Sequence, residues 1–137
     1  FWADVIGDGE KIYGVTIDGR VVALDPGTGI QLWTVDLNEM VVSTPVLAQK
    51  QGEMRLIVAI KSGKIAVLRT DTGKEDGGRI PIADAEDQQV KIKASLGVAQ
   101  SVIYINTLDP WSTQAVDLNA GGNTLWLCPP ACKGIGE

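Results

Sequence analysis

The feature that most limits what this chain can fold into is an internal repeat. Gly19 and Gly63, Leu24 and Leu68, and Gly29 and Gly73 each stand 44 positions apart in a chain of 137 residues. The segment Ile12-Tyr13-Gly14-Val15-Thr16-Ile17-Asp18-Gly19 is answered by Ile57-Val58-Ala59-Ile60-Lys61-Ser62-Gly63, and a looser third copy occupies 102–126. Trp33 has its counterpart in Trp126, 93 positions on, which is two periods plus a short insertion. A unit of this size buries its apolar face only by stacking on its neighbours.

Each copy has one internal plan. Short β-branched runs at 11–16, 20–24 and 32–36 are split by Asp18-Gly19 and by Asp25-Pro26-Gly27-Thr28-Gly29. Asp18-Gly19 predicts a two-residue primed hairpin, in which Gly supplies positive φ. In the longer turn Pro26 presets φ, Asp25 caps the following amides, and Gly29 takes the left-handed position that leads into the next strand. Copy two repeats these signals as Ser62-Gly63 and Asp71-Thr72-Gly73. A further extended run precedes each copy, at 2–6, 42–47 and 94–98. No stretch carries a 3.6-residue apolar stripe uninterrupted by Gly or Pro, so helices are not expected. The expected fold is all-β: a partial β-propeller of about three four-stranded antiparallel blades, roughly 44 residues each. Blade one spans 1–40, blade two 41–85, and blade three with a C-terminal tail 86–137. The polar run at 84–89 is read as the connector into blade three, with room for a helical turn.

Composition narrows the function classes. The chain has no histidine, which removes the commonest general base, the Ser-His and Cys-His nucleophile pairs and most zinc sites. Its 17 acidic and 12 basic side chains leave a net charge of −5. No basic stripe is present, Lys91 and Lys93 being the densest local pair, so nucleic acid is not an expected partner. No apolar run approaches the roughly 20 residues of a membrane-spanning helix. The chain opens at Phe1 with no charged and apolar leader.

The spacing Tyr13-x4-Asp18-Gly19-x3-Ala23-Leu24-Asp25-x2-Thr28-Gly29-x3-Trp33 resembles the PQQ enzyme repeat, the blade unit of quinoprotein-type β-propellers. Ser43-Thr44-Pro45-Val46 is similar to the inner-strand segment of such blades. The resemblance extends over nearly the whole chain, strongest in copy one. Copy two departs at Arg69, which stands where copy one has Asp25, and lacks the closing Trp, with Gly77 near its place. Copy three places Pro110-Trp111-Ser112 in its hairpin and Ala120-Gly121-Gly122 where Thr-Gly is expected. The resemblance implies that Trp33 and Trp126 dock between neighbouring blades. It is closest to the non-catalytic scaffold and sensor members, such as the outer-membrane assembly lipoprotein, and implies an extracytoplasmic location. The family also contains quinone-dependent dehydrogenases, so a fragment of such an enzyme, with PQQ and calcium, is the alternative reading. Those enzymes carry two adjacent cysteines in a disulfide.

Cys128 and Cys132, the only cysteines, are separated by Pro129-Pro130-Ala131. Their spacing admits a small loop disulfide in an oxidising compartment, and equally two free thiols. A zinc site at this spacing would need further ligands, and without histidine none stand out. Asp18, Asp25, Asp71 and Asp117 fall at turns, and capping accounts for each. Gly19, Thr28, Gly29, Gly63, Thr72 and Gly73 complete the repeat turns. Asp4 is the one carboxylate that turn logic leaves unexplained, on a strand expected to line the propeller axis. No catalytic, cofactor-binding or metal-ligating set is expected, and no cofactor. Three blades do not close a ring that takes 4–8. The arc is therefore completed by further sequence, by other copies, or by its own tail at 127–137, where Pro129 and Pro130 block strand pairing and read as a true terminus. The 42–47 run or Trp126 is expected to lie unsealed at an open face. The expected function is a scaffold or a ligand- or protein-recognition module, meeting a protein partner or itself through exposed blade edges.

Overall fold

The computed structural model of the chain describes residues 2–82, 95–108 and 111–128. Among them are twelve strands: β1 (Trp2–Gly7), β2 (Ile12–Thr16), β3 (Arg20–Leu24), β4 (Gln31–Asp36), β5 (Val46–Lys50), β6 (Glu53–Ile60), β7 (Lys64–Arg69), β8 (Ile80–Pro81), β9 (Ser95–Ala99), β10 (Val102–Leu108), β11 (Trp111–Asp117) and β12 (Asn123–Cys128). They form three four-stranded antiparallel sheets, each an uninterrupted meander in chain order. This is the all-β, partial-propeller architecture that the repeat predicts. The 84–89 connector lies outside the described residues.

Two local expectations change. The inner hairpins hold three loop residues rather than two, because Val15 pairs with Val21 and Ile60 with Lys64. Gly19 N–H donates to Thr16 O at 3.1 Å and Gly63 N–H to Ile60 O at 3.0 Å, with the glycine at positive φ, the usual geometry of a three-residue loop. The run expected at 42–47 also shifts: β5 begins at Val46, after Pro45. Pro45 has no N–H to give the ladder. Upstream, Val42 N–H donates to Ala59 O at 2.9 Å, and Ser43 Oγ accepts from Ala59 N–H at 2.8 Å.

The middle sheet is covered on both faces. In β6, Leu56, Val58 and Ile60 join Tyr13, Val15, Val21 and Ala23 in one buried cluster with the first sheet. The alternate residues Ile57 and Ala59, with Ile65 and Val67, join Ile103, Ile105 and Val116 in a second cluster with the third sheet. That is why Leu56-Ile57-Val58-Ala59-Ile60 is an unbroken apolar run where a sheet wet on one side would alternate. Each fully buried aliphatic chain contributes roughly 1.5–3 kcal/mol.

Polar groups stitch the same seams. Residues 37–41 run between the first two sheets: Leu37 N–H donates to Gly19 O, Val41 N–H to Ile17 O and Lys61 N–H to Met40 O, each at 2.9 Å. Arg79 clamps this connector through Glu39 (2.6 Å) and Leu37 O (2.8 Å). Within the second sheet, buried Arg55 donates through Nε to Asp76 (2.8 Å) and through Nη2 to Glu53 (3.1 Å). The Arg55 hydrogen bond, with Lys50 nearby, holds the Asp76 carboxyl below its ordinary value of 3.8.

Leu68→Ala should cost about 2–5 kcal/mol in urea unfolding, against about 0.5 kcal/mol for Leu125→Ala on the exposed β12. Asp76→Asn should cost about 1.5–3 kcal/mol at neutral pH. Because the folded pKa of Asp76 is depressed, its stabilisation is complete above pH ~4 and disappears as the pH falls through the folded value. Unfolding curves of the two proteins should therefore converge below pH ~4; a constant gap down to pH 2 would contradict the ion pair's role.

Candidate functional site

Cross-strand register sets Tyr13, Ala23 and Trp33 side by side on β2, β3 and β4. The small Ala23 leaves room for the rings above it, whose centroids are 5.9 Å apart at 37°. Tyr13 is fully buried and its hydroxyl donates to Asp8 Oδ2 at 2.6 Å. Burial, reinforced by the Asp8 carboxylate, pushes the hydroxyl's pKa up, so it remains a donor. Trp33 reaches across to the second sheet, where its indole N–H donates to Thr70 O at 2.9 Å.

Trp33 lands on a turn built to receive it. Gly73 N–H donates to Arg69 O and Arg69 N–H to Lys74 O, both at 2.9 Å, which leaves Gly73 left-handed at φ 80°. A Cβ at Gly73 would run into the six-membered ring of Trp33. Arg69, where copy one has an aspartate, pairs with Asp71 at 3.0 Å. Thr72 Oγ1 accepts from Lys74 N–H at 3.3 Å.

The second seam uses the same device with a smaller plug. Glycines 77 and 78 stand where a tryptophan would be, and Ile80 of β8 covers Gly122 instead. A Cβ at Gly122 would lie 2.7 Å from Ile80 Cδ1. Gly122 is left-handed at φ 78°, its N–H donating to Asp117 O at 3.0 Å. Asp117 Oδ1 accepts from Asn119 N–H and from the Ser101 hydroxyl, both at 3.0 Å.

One socket and one plug are left over. Residues 25–30 repeat the receiving turn: Gly29 N–H donates to Asp25 O (2.8 Å), Asp25 N–H to Ile30 O (2.9 Å), and Gly29 is left-handed at φ 75°. Asp25 Oδ1 accepts from Gly27 and Thr28 N–H at 2.8 and 3.2 Å, and Thr28 Oγ1 from Ile30 N–H at 3.2 Å. Among the described residues, its chain neighbours aside, no atom lies within 4 Å of a Cβ built at Gly29. At the far end Tyr104, Ala115 and Trp126 repeat the row of Tyr13, Ala23 and Trp33, with ring centroids 6.3 Å apart at 40°. Here the row faces outward, Tyr104 being 38% and Trp126 41% exposed. Residues 42–47, in contrast, are mostly covered.

The remaining singled-out residues are dispersed. Asp18 accepts from the Thr16 hydroxyl; with Ile17, Arg20 and Met40 these two line an open hollow of about 560 Å3 on the first sheet. The backbone of Asp4 pairs with Val15 beside a bulge, and its side chain lies outside the described residues. Cys128 closes β12 and is disulfide-bonded; Cys132 lies outside the described residues. Sequence reasoning missed Ile80 as a plug and Arg79 as a clamp, and neither has a repeat signature. It also missed the tyrosine of each row, although the Tyr, Ala and Trp of copies one and three are legible as a matched set.

The described residues assemble no quinone and calcium centre. Among the described residues no three His, Cys, Asp or Glu side chains converge, and the two cysteines are not adjacent. No described helix is long and apolar enough to cross a membrane.

The sockets make different demands on glycine. Gly73→Ala should cost clearly more than Gly29→Ala, because the first adds a collision with Trp33 to the roughly 1–2 kcal/mol of left-handed strain that both bear. Trp33→Ala should cost about 3–5 kcal/mol, and Trp126→Ala, in the isolated chain, within about 1 kcal/mol. Chemical unfolding of the four variants measures this, and equal costs at the two glycines would refute the seating of Trp33.

Comparison with known proteins places this geometry. The family described as outer membrane protein assembly factor BamB matches residues 1–130. No protein of curated function matches the sequence. Among solved structures, BamB from Moraxella catarrhalis is similar at 21% identity and a TM-score of 0.65, over 87% of this chain and 34% of that one. Apo AztD from Citrobacter koseri is similar at 16% identity and a TM-score of 0.71, over 92% of this chain and 34% of that one. The chain thus spans about a third of the length of either structure. A match over nearly all of its length, together with three blades joined by repeated turn sockets, shows that the chain belongs to the BamB family of PQQ-type repeat propellers.

Proposed function

We propose that this chain is a non-catalytic propeller module that acts outside the cytoplasm as a scaffold, presenting surfaces to a protein partner. The observation that carries the reading is the arc itself. Its interior is filled by apolar side chains from three sheets. What it offers to a partner is surface, namely an outward aromatic row at Tyr104 and Trp126 and exposed Val5, Ile30 and Leu32 at the other end. Fold alone does not establish a chemistry, and among the described residues no three His, Cys, Asp or Glu side chains converge on a metal set. The family's description as an outer membrane protein assembly factor suggests an extended or unfolded β-barrel polypeptide as the partner class. Exposed strand edges are suited to bind such a chain by strand addition.

Two titrations test the reading. Fluorescence anisotropy of a labelled, unfolded outer-membrane β-barrel polypeptide should rise saturably with this protein, and a flat trace would overturn the recognition role. Tryptophan fluorescence should stay unchanged when pyrroloquinoline quinone and calcium are added. Saturable quenching at micromolar quinone would favour the dehydrogenase reading instead.

A further inference from the structure

We infer that a polar hollow at the loop end of the second blade binds a phosphate group, held by Lys50, Arg55 and Arg69. This goes beyond the recognition reading and does not rest on it. The hollow has a volume of about 360 Å3 and is lined by Lys50, Gln51, Glu53, Arg55, Arg69 and Asp76. It lies between the β5–β6 hairpin and the turn that follows β7. All six residues belong to the middle blade, which has a sheet on either side, so neither open face of the arc contributes to it. Three cations gather here in a chain whose net charge is −5.

Two local rules are broken to put Arg69 in this hollow. In the matching turns of the outer blades the position holds Asp25 and Asp117, whose carboxylates accept from Gly27 and Thr28 N–H and from Asn119 N–H. A guanidinium accepts no hydrogen bond, so the second blade gives up that cap. Cross-strand register also sets Arg69 directly opposite Arg55, and like charges so placed repel. Departures from local rules of this kind mark functional sites.

The donors are not used up. Buried Arg55 has five N–H groups and places three of them, on Asp76 from Nε, on Met54 O from Nη1 and on Glu53 from Nη2, which leaves two among the described residues. Arg69 spends two of its five on Asp71, an exposed pair that constrains it little. The Lys50 ammonium meets Asp76 at 3.4 Å and keeps further N–H groups. Glu53 and Asp76 anchor Arg55, and three cations less two carboxylates leave the lining with one surplus positive charge. Phosphate suits this set, because its oxygens accept several charge-assisted bonds at once and its charge offsets the repulsion between Arg55 and Arg69. The hairpin wall is held from the third blade: Gln51, left-handed at φ 52°, donates its N–H to Asn119 Oδ1 at 2.7 Å.

Amide NMR of the isotope-labelled chain, titrated with sodium phosphate at constant ionic strength, tests this. Shifts should saturate in the millimolar range and gather at 50–55 and 69–76. Arg69→Asp, which restores the residue of the other two turns and its cap, should keep the wild-type spectrum elsewhere and unfold no earlier in urea, yet bind at least about tenfold more weakly. Lys50→Gln repeats the test should that variant fail to fold. Shifts that grow linearly without saturation, shifts spread over the whole surface, or an Arg69→Asp chain that binds like wild type would each overturn the inference. With saturation established, co-sedimentation with phosphatidylglycerol vesicles that is lost in Arg69→Asp assigns the phosphate to a lipid headgroup, and its absence assigns it to a soluble phosphate. Barrel-polypeptide anisotropy, measured on Arg69→Asp, reports on the recognition reading separately.

Discussion

The stacking of this protein depends on one contact, a large side chain resting on a turn glycine that has no Cβ. A four-stranded sheet exposes two faces, and apolar burial against the next sheet is what orders it. The turn glycine makes that approach close, since its left-handed conformation admits few other residues and its missing side chain leaves a flat landing. Trp33 adds a hydrogen bond from its indole N–H to Thr70 O, so the buried ring carries no unpaired donor. Ile80 on Gly122 achieves the same approach without a polar group. The carbonyl that accepts the glycine N–H comes from Asp25, Arg69 or Asp117 in the three turns. The side chain at that position is therefore free to change while the socket persists.

This geometry makes the three blades unequal. The middle one is buried on both faces, and among the described residues its strands β6 and β7 hold more fully buried aliphatic side chains than the strands of either neighbour. The outer blades each have one covered face and one open to solvent, and β12 is exposed along most of its length. Local opening should accordingly be easier in the outer blades than in the middle one. The open faces are not featureless: one retains the aromatic row and the other the empty turn of a docking seam. What the arc offers for recognition follows from what its stacking leaves uncovered.

Much of this was legible before any coordinates. The 44-residue period implies stacked sheets of four strands, and Asp25, Gly29 and Gly73 sit where turn chemistry places them. The docking role expected of Trp33 comes from the family that its repeat resembles, not from the spacing itself. The length of the inner hairpin loops was not legible, because Asp18-Gly19 is consistent with both two and three loop residues and strand register decides between them. The start of β5 was misplaced for a similar reason. Residues 42–44 look extended, yet their hydrogen bonds go to Ala59 as part of the connector. The plug of the middle blade had no signature at all, since an isoleucine two residues from a pair of glycines becomes a docking group only when Gly122 lies beneath it.

By itself the sequence determined the repeat, the strand rhythm, the turn glycines and the lack of a histidine-based chemistry, because each is a local property of residue type and spacing. The tertiary structure decided which faces meet. Trp33 and Trp126 occupy the same place in nearly identical rows, yet one is sealed against Thr70 and Gly73 and the other faces solvent. The difference lies in no local feature of either row. It lies in whether another sheet stands opposite, and burial depends on that neighbour as much as on the residue itself.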